Sequence, residues 1–221
     1  MTALYEYPKA TLVKRVVPKA RIYDRVRAST ALKDKFVIQV DQITWRAKLA
    51  PETINLPATK SVSEIQIFRV MQKTDTLQDD VLKAIDRAIP FPILFELEYD
   101  QKIQIAAAHK RPSEAETDKW VISDYLRSNW LPTETPCTTL PVALNLTVLY
   151  DQILTALMPI VPQTAESLSA RMERTHALKS KEREIDRLKS QLKRETQFNI
   201  KMNLHAQLRA AQAEFEQLKK S

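Results

Sequence analysis

Glycine is absent from all 221 residues of the chain, although average usage predicts about fifteen. Several phosphate-binding and nucleophilic motifs need glycine, because the backbone there bends sharply or approaches a ligand without a Cβ. The sequence therefore excludes a P-loop, a Rossmann dinucleotide turn, a G-x-S-x-G nucleophile elbow and a glycine-rich kinase loop. Short motifs thus identify no reaction for this chain.

Cysteine is almost absent as well, since Cys137 is the only one. A single thiol excludes an intramolecular disulfide and is typical of a reducing compartment. The three histidines, His109, His176 and His205, are too scattered for the spacing of a Cys/His metal site,. We therefore predict no metal ion and no cofactor.

Long apolar runs are also missing. The apolar stretch over residues 144–149, for example, is interrupted by Asn145 and Thr147 and is far shorter than the roughly 20 residues that span a bilayer. The first residues lack the apolar segment of a secretory signal peptide. We expect a cytoplasmic protein without a membrane partner.

Positive charge is in excess, and it is concentrated at the two ends of the chain. The formal net charge is +7; residues 1–27 hold seven basic and two acidic residues, and residues 164–221 hold thirteen and eight. Basic patches attract nucleic acid by releasing its counterions, but an excess of solvated basic side chains is an equally ordinary explanation. The predicted nucleic-acid-binding residues are Lys14, Arg15, Lys19, Arg21, Lys110 and Arg111.

Residue periodicity predicts an α+β domain over residues 1–162, built from a mostly antiparallel sheet with packed helices. The alternation of residues 63–70 is typical of an edge or half-buried strand. Residues 79–89 have the spacing of an amphipathic helix. A β-hairpin over residues 93–108 turns at Asp100-Gln101, where Asp100 replaces the usual glycine,.

The composition and apolar spacing of residues 163–221 predict a C-terminal coiled-coil helix. Thr164 is a suitable N-cap, and no proline or glycine follows it,. The last leucine of one heptad run, Leu192, and the first of the next, Leu204, are twelve positions apart, so the helix either contains a stutter or folds back as a hairpin near Phe198. We predict self-association, with packing onto the chain's own domain as the alternative. The predicted oligomerisation residues are Leu178, Ile185, Leu188, Leu192, Leu204, Leu208, Phe215 and Leu218.

Carboxylates near predicted strands are the only feature typical of an enzyme. Divalent-metal nucleases hold Mg²⁺ with strand-borne acids, and a nearby lysine orients the attacking water. Glu64, Asp86, Glu96 and Lys110 are the candidates for such a site. Ordinary alternation of polar residues along a half-exposed strand explains the same pattern.

Several segments resemble the bacterial family known as domain of unknown function 4391. They are KLAPETINLP at 48–57, EIQIF at 64–68, KAIDRAIPFPILFEL at 83–97, AHKRP at 108–112 and ETQFNIKMN at 195–203. Members are often encoded beside helicases and DNA methyltransferases in restriction and phage-defence clusters, so the resemblance implies an accessory role on DNA. It assigns no site residues.

We therefore predict a non-catalytic, oligomerising accessory subunit of a bacterial DNA-modifying, restriction or antiphage complex. It would bind DNA or RNA, a helicase or methyltransferase partner, or both. A Mg²⁺-dependent nuclease of the same system is one alternative. A regulatory protein-interaction module without nucleic-acid contact is the other.

Overall fold

The computed structural model describes residues 4–112, 120–163 and 166–220. The chain divides into two compact units, Met1–Met158 and Pro159–Ser221. The first unit is an α+β fold, as predicted. Its helices are α1 (Lys19–Val26), α2 (Thr30–Gln39), α3 (Pro51–Ile54), α4 (Asp79–Ala88) and α5 (Leu146–Ala156), preceded by a 3-10 turn at Lys9–Thr11.

The strands are β1 (Leu12–Val16), β2 (Val40–Leu49), β3 (Ile65–Gln72), β4 (Ile93–Tyr99), β5 (Lys102–Ala107), β6 (Lys110–Pro112), β7 (Trp120–Ile122), β8 (Leu126–Arg127) and β9 (Leu131–Pro132). The main sheet has seven strands in the order β1-β2-β3-β4-β5-β8, and β9 also pairs with β5. All its pairs are antiparallel except β3 with β4, which α4 connects. A separate ribbon consists of β6 and β7.

Strand β3 differs from its prediction as an edge or half-buried strand. It lies between β2 and β4, and six of its eight residues are buried. Gln66 and Gln72 are among these buried residues. The prediction of an edge or half-buried strand from its alternating polar residues was therefore wrong, because both faces of this strand are covered.

The largest described hydrophobic cluster lies on one face of the sheet. Phe68, Val70, Phe95 and Leu97 pack there with apolar residues of the three helices α1, α2 and α4. Strand residues alternate between faces, so Glu96, which is also fully buried, points to the opposite face. This alternation decides where the charged residues of β3 and β4 lie.

The missing glycines are replaced at positions where the backbone is left-handed. Asp100 and Gln101 have φ of 46° and 57° and form the predicted turn between β4 and β5. Arg27 and Asn55 adopt the same conformation at the C-terminal ends of α1 and α3. In this conformation the Cβ of any residue other than glycine causes a steric cost, which is smallest for Asn and Asp.

Lysine side chains also take over the capping of helix ends. The Lys19 ammonium donates to the carbonyls of Phe36 and Val40, and Lys73 donates to the carbonyl of Val37 at 3.0 Å, all at the end of α2. Cations at a helix C-terminus satisfy free carbonyls and complement the helix dipole. Burial, together with the charge of Lys73, lowers the pKa of Lys19.

The second unit is a pair of helices, α6 (Leu168–Arg194) and α7 (Phe198–Lys220). The C-terminal segment is therefore helical as predicted, and of the two alternatives, a stutter or a hairpin, it has the hairpin. Helix α6 is capped by Ser167, whose hydroxyl accepts from the Ala170 N–H at 3.2 Å. The expected cap, Thr164, lies outside the described residues.

Candidate nucleic-acid interface and buried ionic clusters

Asp86 and Lys110, two of the four predicted nuclease residues, meet in the interior of the first unit. The Lys110 ammonium lies 3.5 Å from Asp86 Oδ1, and both side chains are almost fully buried. The same ammonium donates to the backbone carbonyls of Asp86 and Ile89, at the end of α4. Lys110 thus caps this helix as Lys19 caps α2.

Two tyrosines complete this cluster. The Tyr125 hydroxyl donates to Asp86 Oδ2, and the Tyr150 hydroxyl accepts from the Lys110 N–H at 3.1 Å. Burial raises the pKa of Asp86 to about 6, although Lys110 and Tyr125 act in the opposite direction. Burial also lowers the pKa of Lys110. Each polar atom at this carboxylate is bonded inside the protein, which is the pattern of a structural cluster.

Glu96 lies in a second ionic cluster, on the opposite face of the sheet. Arg69 donates to Glu96 Oε2 at 3.0 Å from Nε and 2.9 Å from Nη2, and Arg46 donates to the same oxygen. Arg69 also pairs with Glu98 at 2.8 Å. Two guanidinium groups thus neutralise a carboxylate that is fully buried, which offsets the cost of removing it from water.

An irregularity in β2 directs Arg46 into this cluster. Trp45 pairs with Phe68 and Ala47 pairs with Ile67, so Arg46 is the extra residue of a β-bulge. Bulges characteristically redirect one side chain. The Arg46 guanidinium also lies over the Tyr7 ring, 5.2 Å from its centroid. Burial raises the pKa of Tyr7, and the negative charge of Glu96 raises it further.

The remaining nuclease candidate, Glu64, contacts neither cluster. It accepts a hydrogen bond from the Gln66 amide at 2.6 Å and lies 3.9 Å from the Lys48 ammonium. The four candidates are thus distributed over three places in the first unit. No group of three His, Cys, Asp or Glu residues able to hold a metal ion occurs in the part of the chain that the structure describes.

Three of the predicted nucleic-acid residues, Lys14, Arg15 and Arg21, belong to a group of exposed basic residues on β1 and α1. Lys14 and Arg15 are exposed on β1, the edge strand of the sheet, and Arg21 is exposed on α1. Arg25, one helical turn after Arg21, and Arg27 are exposed as well. None of these five residues pairs with a carboxylate among residues 4–112, 120–163 and 166–220. We call these five residues the basic surface.

Two other predicted contacts lie away from solvent. Lys110 is 2% exposed and points inward, so its ammonium is not available to a phosphate. Lys19 is half-buried and caps α2. Arg111 is exposed on β6. The sequence-based prediction did not include Arg25 and Arg27. The four-residue spacing from Arg21 to Arg25 already places the side chains of Arg21 and Arg25 on one helix face.

A shallow groove of about 520 Å³ adjoins the basic surface. Arg21, Arg25 and Asp24 line it together with apolar residues of α1 and the C-terminal end of α4, among them Ile22 and Ile89. Its two guanidinium groups therefore lie beside apolar surface. Such a combination suits contact with a phosphate and its adjoining sugar.

Most of the predicted oligomerisation residues face each other across the helical hairpin. Ile185 and Leu188 of α6 form a cluster with Ala211 of α7. Leu204, Leu208 and Phe215 pack against the same cluster, while Leu178 is buried and Leu192 and Leu218 are half-buried. Lys181 also bridges the two helices by pairing with Glu214 at 2.6 Å. The two helices of one chain thus cover much of this seam themselves.

The described helices include none that is both long and apolar enough to cross a membrane. No curated protein and no solved structure matches this sequence. A family model does match it, over residues 6–215, and thus over nearly its whole length. The chain therefore belongs to the family described as Domain of unknown function (DUF4391).

Proposed function

We propose that this chain is a nucleic-acid-binding accessory subunit that performs no chemistry of its own. The observation that carries the proposal is the basic surface, where five exposed cations have no carboxylate partner within the described residues. Unpaired surface cations are free to release counterions from a phosphate backbone. We expect binding that is strong at low salt and largely independent of sequence.

The arginines of α1 distinguish this function from protection of the sheet edge. Charged residues on an edge strand prevent pairing with a second sheet, and this role alone can account for Lys14 and Arg15 on β1. Arg21, Arg25 and Arg27 lie on a helix or at its end, where no strand edge needs protection. Their number and exposure favour a ligand of opposite charge.

The surroundings of the acidic residues favour binding over hydrolysis. The Glu96 carboxylate is engaged by two arginines, and Asp86 by Lys110 and Tyr125. A Mg²⁺ ion at either carboxylate would have to compete with these cations and with the Tyr125 hydroxyl. We further propose that the subunit serves a helicase or methyltransferase partner in restriction or phage defence, as the family resemblance implies.

Salt-dependent binding of duplex DNA tests the proposal. Fluorescence anisotropy of the full chain gives the slope of the logarithm of the affinity against the logarithm of the salt concentration. Each lost phosphate contact reduces this slope by about 0.9. The variant with Arg21→Gln, Arg25→Gln and Arg27→Gln is therefore expected to lower the slope by about 2 to 3.

A matched control separates a local surface from net charge. The variant with Lys60→Gln, Lys83→Gln and Lys102→Gln loses the same number of charges elsewhere on the first unit. It is expected to bind almost as the unaltered chain does. Equal losses in the two variants would contradict a defined surface, and no binding at low salt would favour the regulatory module without nucleic-acid contact.

A further inference from the structure

The tip of the helical hairpin exposes apolar side chains that its seam does not cover. We define the tip as residues 187–202, which include the end of α6, the connection and the start of α7. Phe198 is 74% exposed and Met202 is 58% exposed. They are four residues apart on α7 and therefore share one face. Together they place adjoining apolar surface in water on an otherwise charged hairpin, which is typical of a contact surface.

The tip is also the most basic part of the hairpin. Residues 187–202 contain five basic residues and one acidic residue, whereas residues 168–186 and 203–220 together contain eight and six. Lys193 and Arg194, at the end of α6, are exposed and form no ion pair with the described residues. The hairpin reverses between Arg194 and Phe198, so these cations are only five and four residues from the exposed ring in sequence.

The single acidic residue of the tip stabilises the turn. Glu195 Oε1 accepts from the backbone N–H groups of Thr196 and Gln197, both at 2.8 Å. These hydrogen bonds lower the pKa of Glu195. Glu195 thus fixes the connection between the helices, and the surrounding side chains present positive charge around an aromatic ring.

We propose that the tip binds single-stranded nucleic acid. The Phe198 ring stacks on a base, and Lys193, Arg194 and Lys201 neutralise the neighbouring phosphates. This inference rests on the proposed nucleic-acid function and adds a second contact surface to it. An aromatic ring among cations matches the combination by which proteins hold single strands.

The exposed ring distinguishes a single strand from the other possible occupants. In a duplex the base faces are stacked on one another, so Phe198 would have no base to contact. An acidic protein segment would engage the cations, but a planar group at every unit is a feature of nucleic acid and not of acidic segments in general. A single strand uses both features of the tip.

Binding of a short oligothymidylate and of a duplex of equal length to the full chain tests this proposal. Phe198→Ala is expected to weaken single-strand binding roughly 5- to 150-fold and to leave duplex binding unchanged. Phe198→Trp is expected to retain binding. Val142→Ala, which removes a highly exposed apolar side chain from the first unit, is the control, and circular dichroism checks that each variant is folded.

The charged residues are tested separately. The variant with Lys193→Gln and Arg194→Gln is expected to lower the salt slope for the single strand by about 1.4. The variant with Arg183→Gln and Arg209→Gln carries the same charge change outside the tip and is expected to leave the slope unchanged.

The outcomes separate this inference from the proposed function. If the unaltered chain binds neither oligonucleotide at low salt, both proposals are wrong. If it binds the duplex but Phe198→Ala and Val142→Ala bind the single strand equally well, only the role of the tip is wrong. Binding of polyglutamate that depends on Phe198, without single-strand binding, would instead show a protein-docking surface.

Discussion

The ammonium of Lys110 lies 3.5 Å from the carboxylate of Asp86, with the two side chains 1% and 2% exposed. This pair connects strand β6 to helix α4 in the interior of the first unit. Lys110 also donates to two carbonyls at the end of that helix. In a chain without glycine, a buried lysine thus satisfies groups that a glycine C-cap commonly satisfies through the backbone.

Replacement of this lysine is expected to be strongly destabilising. Lys110→Met retains much of the side-chain volume but removes the cation beside the Asp86 carboxylate and the donor to two carbonyls at the end of α4. We expect the free energy of unfolding to fall by about 3–5 kcal/mol, measured by urea denaturation. Lys102→Met, at an exposed position on β5, is expected to change it by less than about 0.5 kcal/mol. Similar values for the two variants would contradict a structural role for Lys110.

The raised pKa of Asp86 predicts a specific dependence of stability on pH. Burial raises this pKa from 3.8 to about 6, so the folded state binds the proton more tightly than the unfolded state. The contribution of the carboxyl group to stability is therefore fully present below the unfolded pKa and is lost as pH rises through the folded pKa. Near pH 5 the free energy of unfolding of the unaltered chain should fall, relative to that of Asp86→Asn, by about 1 kcal/mol for each unit by which the pH rises.

Urea denaturation of both proteins between pH 4 and 7 measures this difference. The comparison with Asp86→Asn cancels the titration of the other carboxylates. A difference that stays constant with pH, or that grows in favour of the unaltered chain, would contradict a raised pKa of Asp86.

The left-handed turn between β4 and β5 predicts a stabilising glycine. Gln101 has φ of 57°, where a Cβ costs about 1 kcal/mol or more. Gln101→Gly should raise the free energy of unfolding by about 0.5–1 kcal/mol, after the larger entropy of glycine in the unfolded chain is subtracted. Gln101→Ala keeps the Cβ and is expected to bring no gain. Thermal unfolding of the unaltered chain, Gln101→Gly and Gln101→Ala measures these differences. Equal gains in stability for the two variants would exclude backbone strain as the cause.

Glu96 is expected to affect stability and not catalysis. Glu96→Ala leaves Arg46 and Arg69 without their shared carboxylate, although both guanidinium groups can reach some water. We expect a loss of about 2–3 kcal/mol in urea denaturation. DNA and RNA incubated with the unaltered chain should remain intact with or without Mg²⁺. Mg²⁺-dependent cleavage that Glu96→Ala abolishes would establish the nuclease alternative instead.

The hairpin seam predicts how disruption of its apolar contacts affects mass and helix content. Leu188→Asp places a charge in the cluster with Ile185 and Ala211. If the seam lies within one chain, helix content measured by circular dichroism falls while the mass from light scattering stays the same. A fall in mass would show that the seam joins two chains. Ser190→Asp, at an exposed position on the same helix, is the control for the added charge.

Much of the secondary structure follows from local sequence. The turn at Asp100-Gln101 and helix α4 lie where residue types and spacing place them, because these elements depend on neighbours a few residues apart. The twelve-residue gap between Leu192 and Leu204 already indicated that one straight seam was impossible. Sequence alone did not choose between a stutter and a hairpin, since both preserve the local heptads.

The absence of glycine, the excess of positive charge and the family resemblance were determined by the sequence alone. Tertiary structure alone decided which charges face solvent. Lys110 and Arg21 look equally basic in the sequence, yet one caps a helix in the interior and the other lies on an exposed helix face. Glu96 and Asp86 are separated because α4, which carries Asp86, packs on the face of β4 that holds Phe95 and Leu97, whereas Glu96 points to the opposite face,. Partners such as Arg46 come from distant strands, and their pairing depends on a bulge and a register that no short segment encodes.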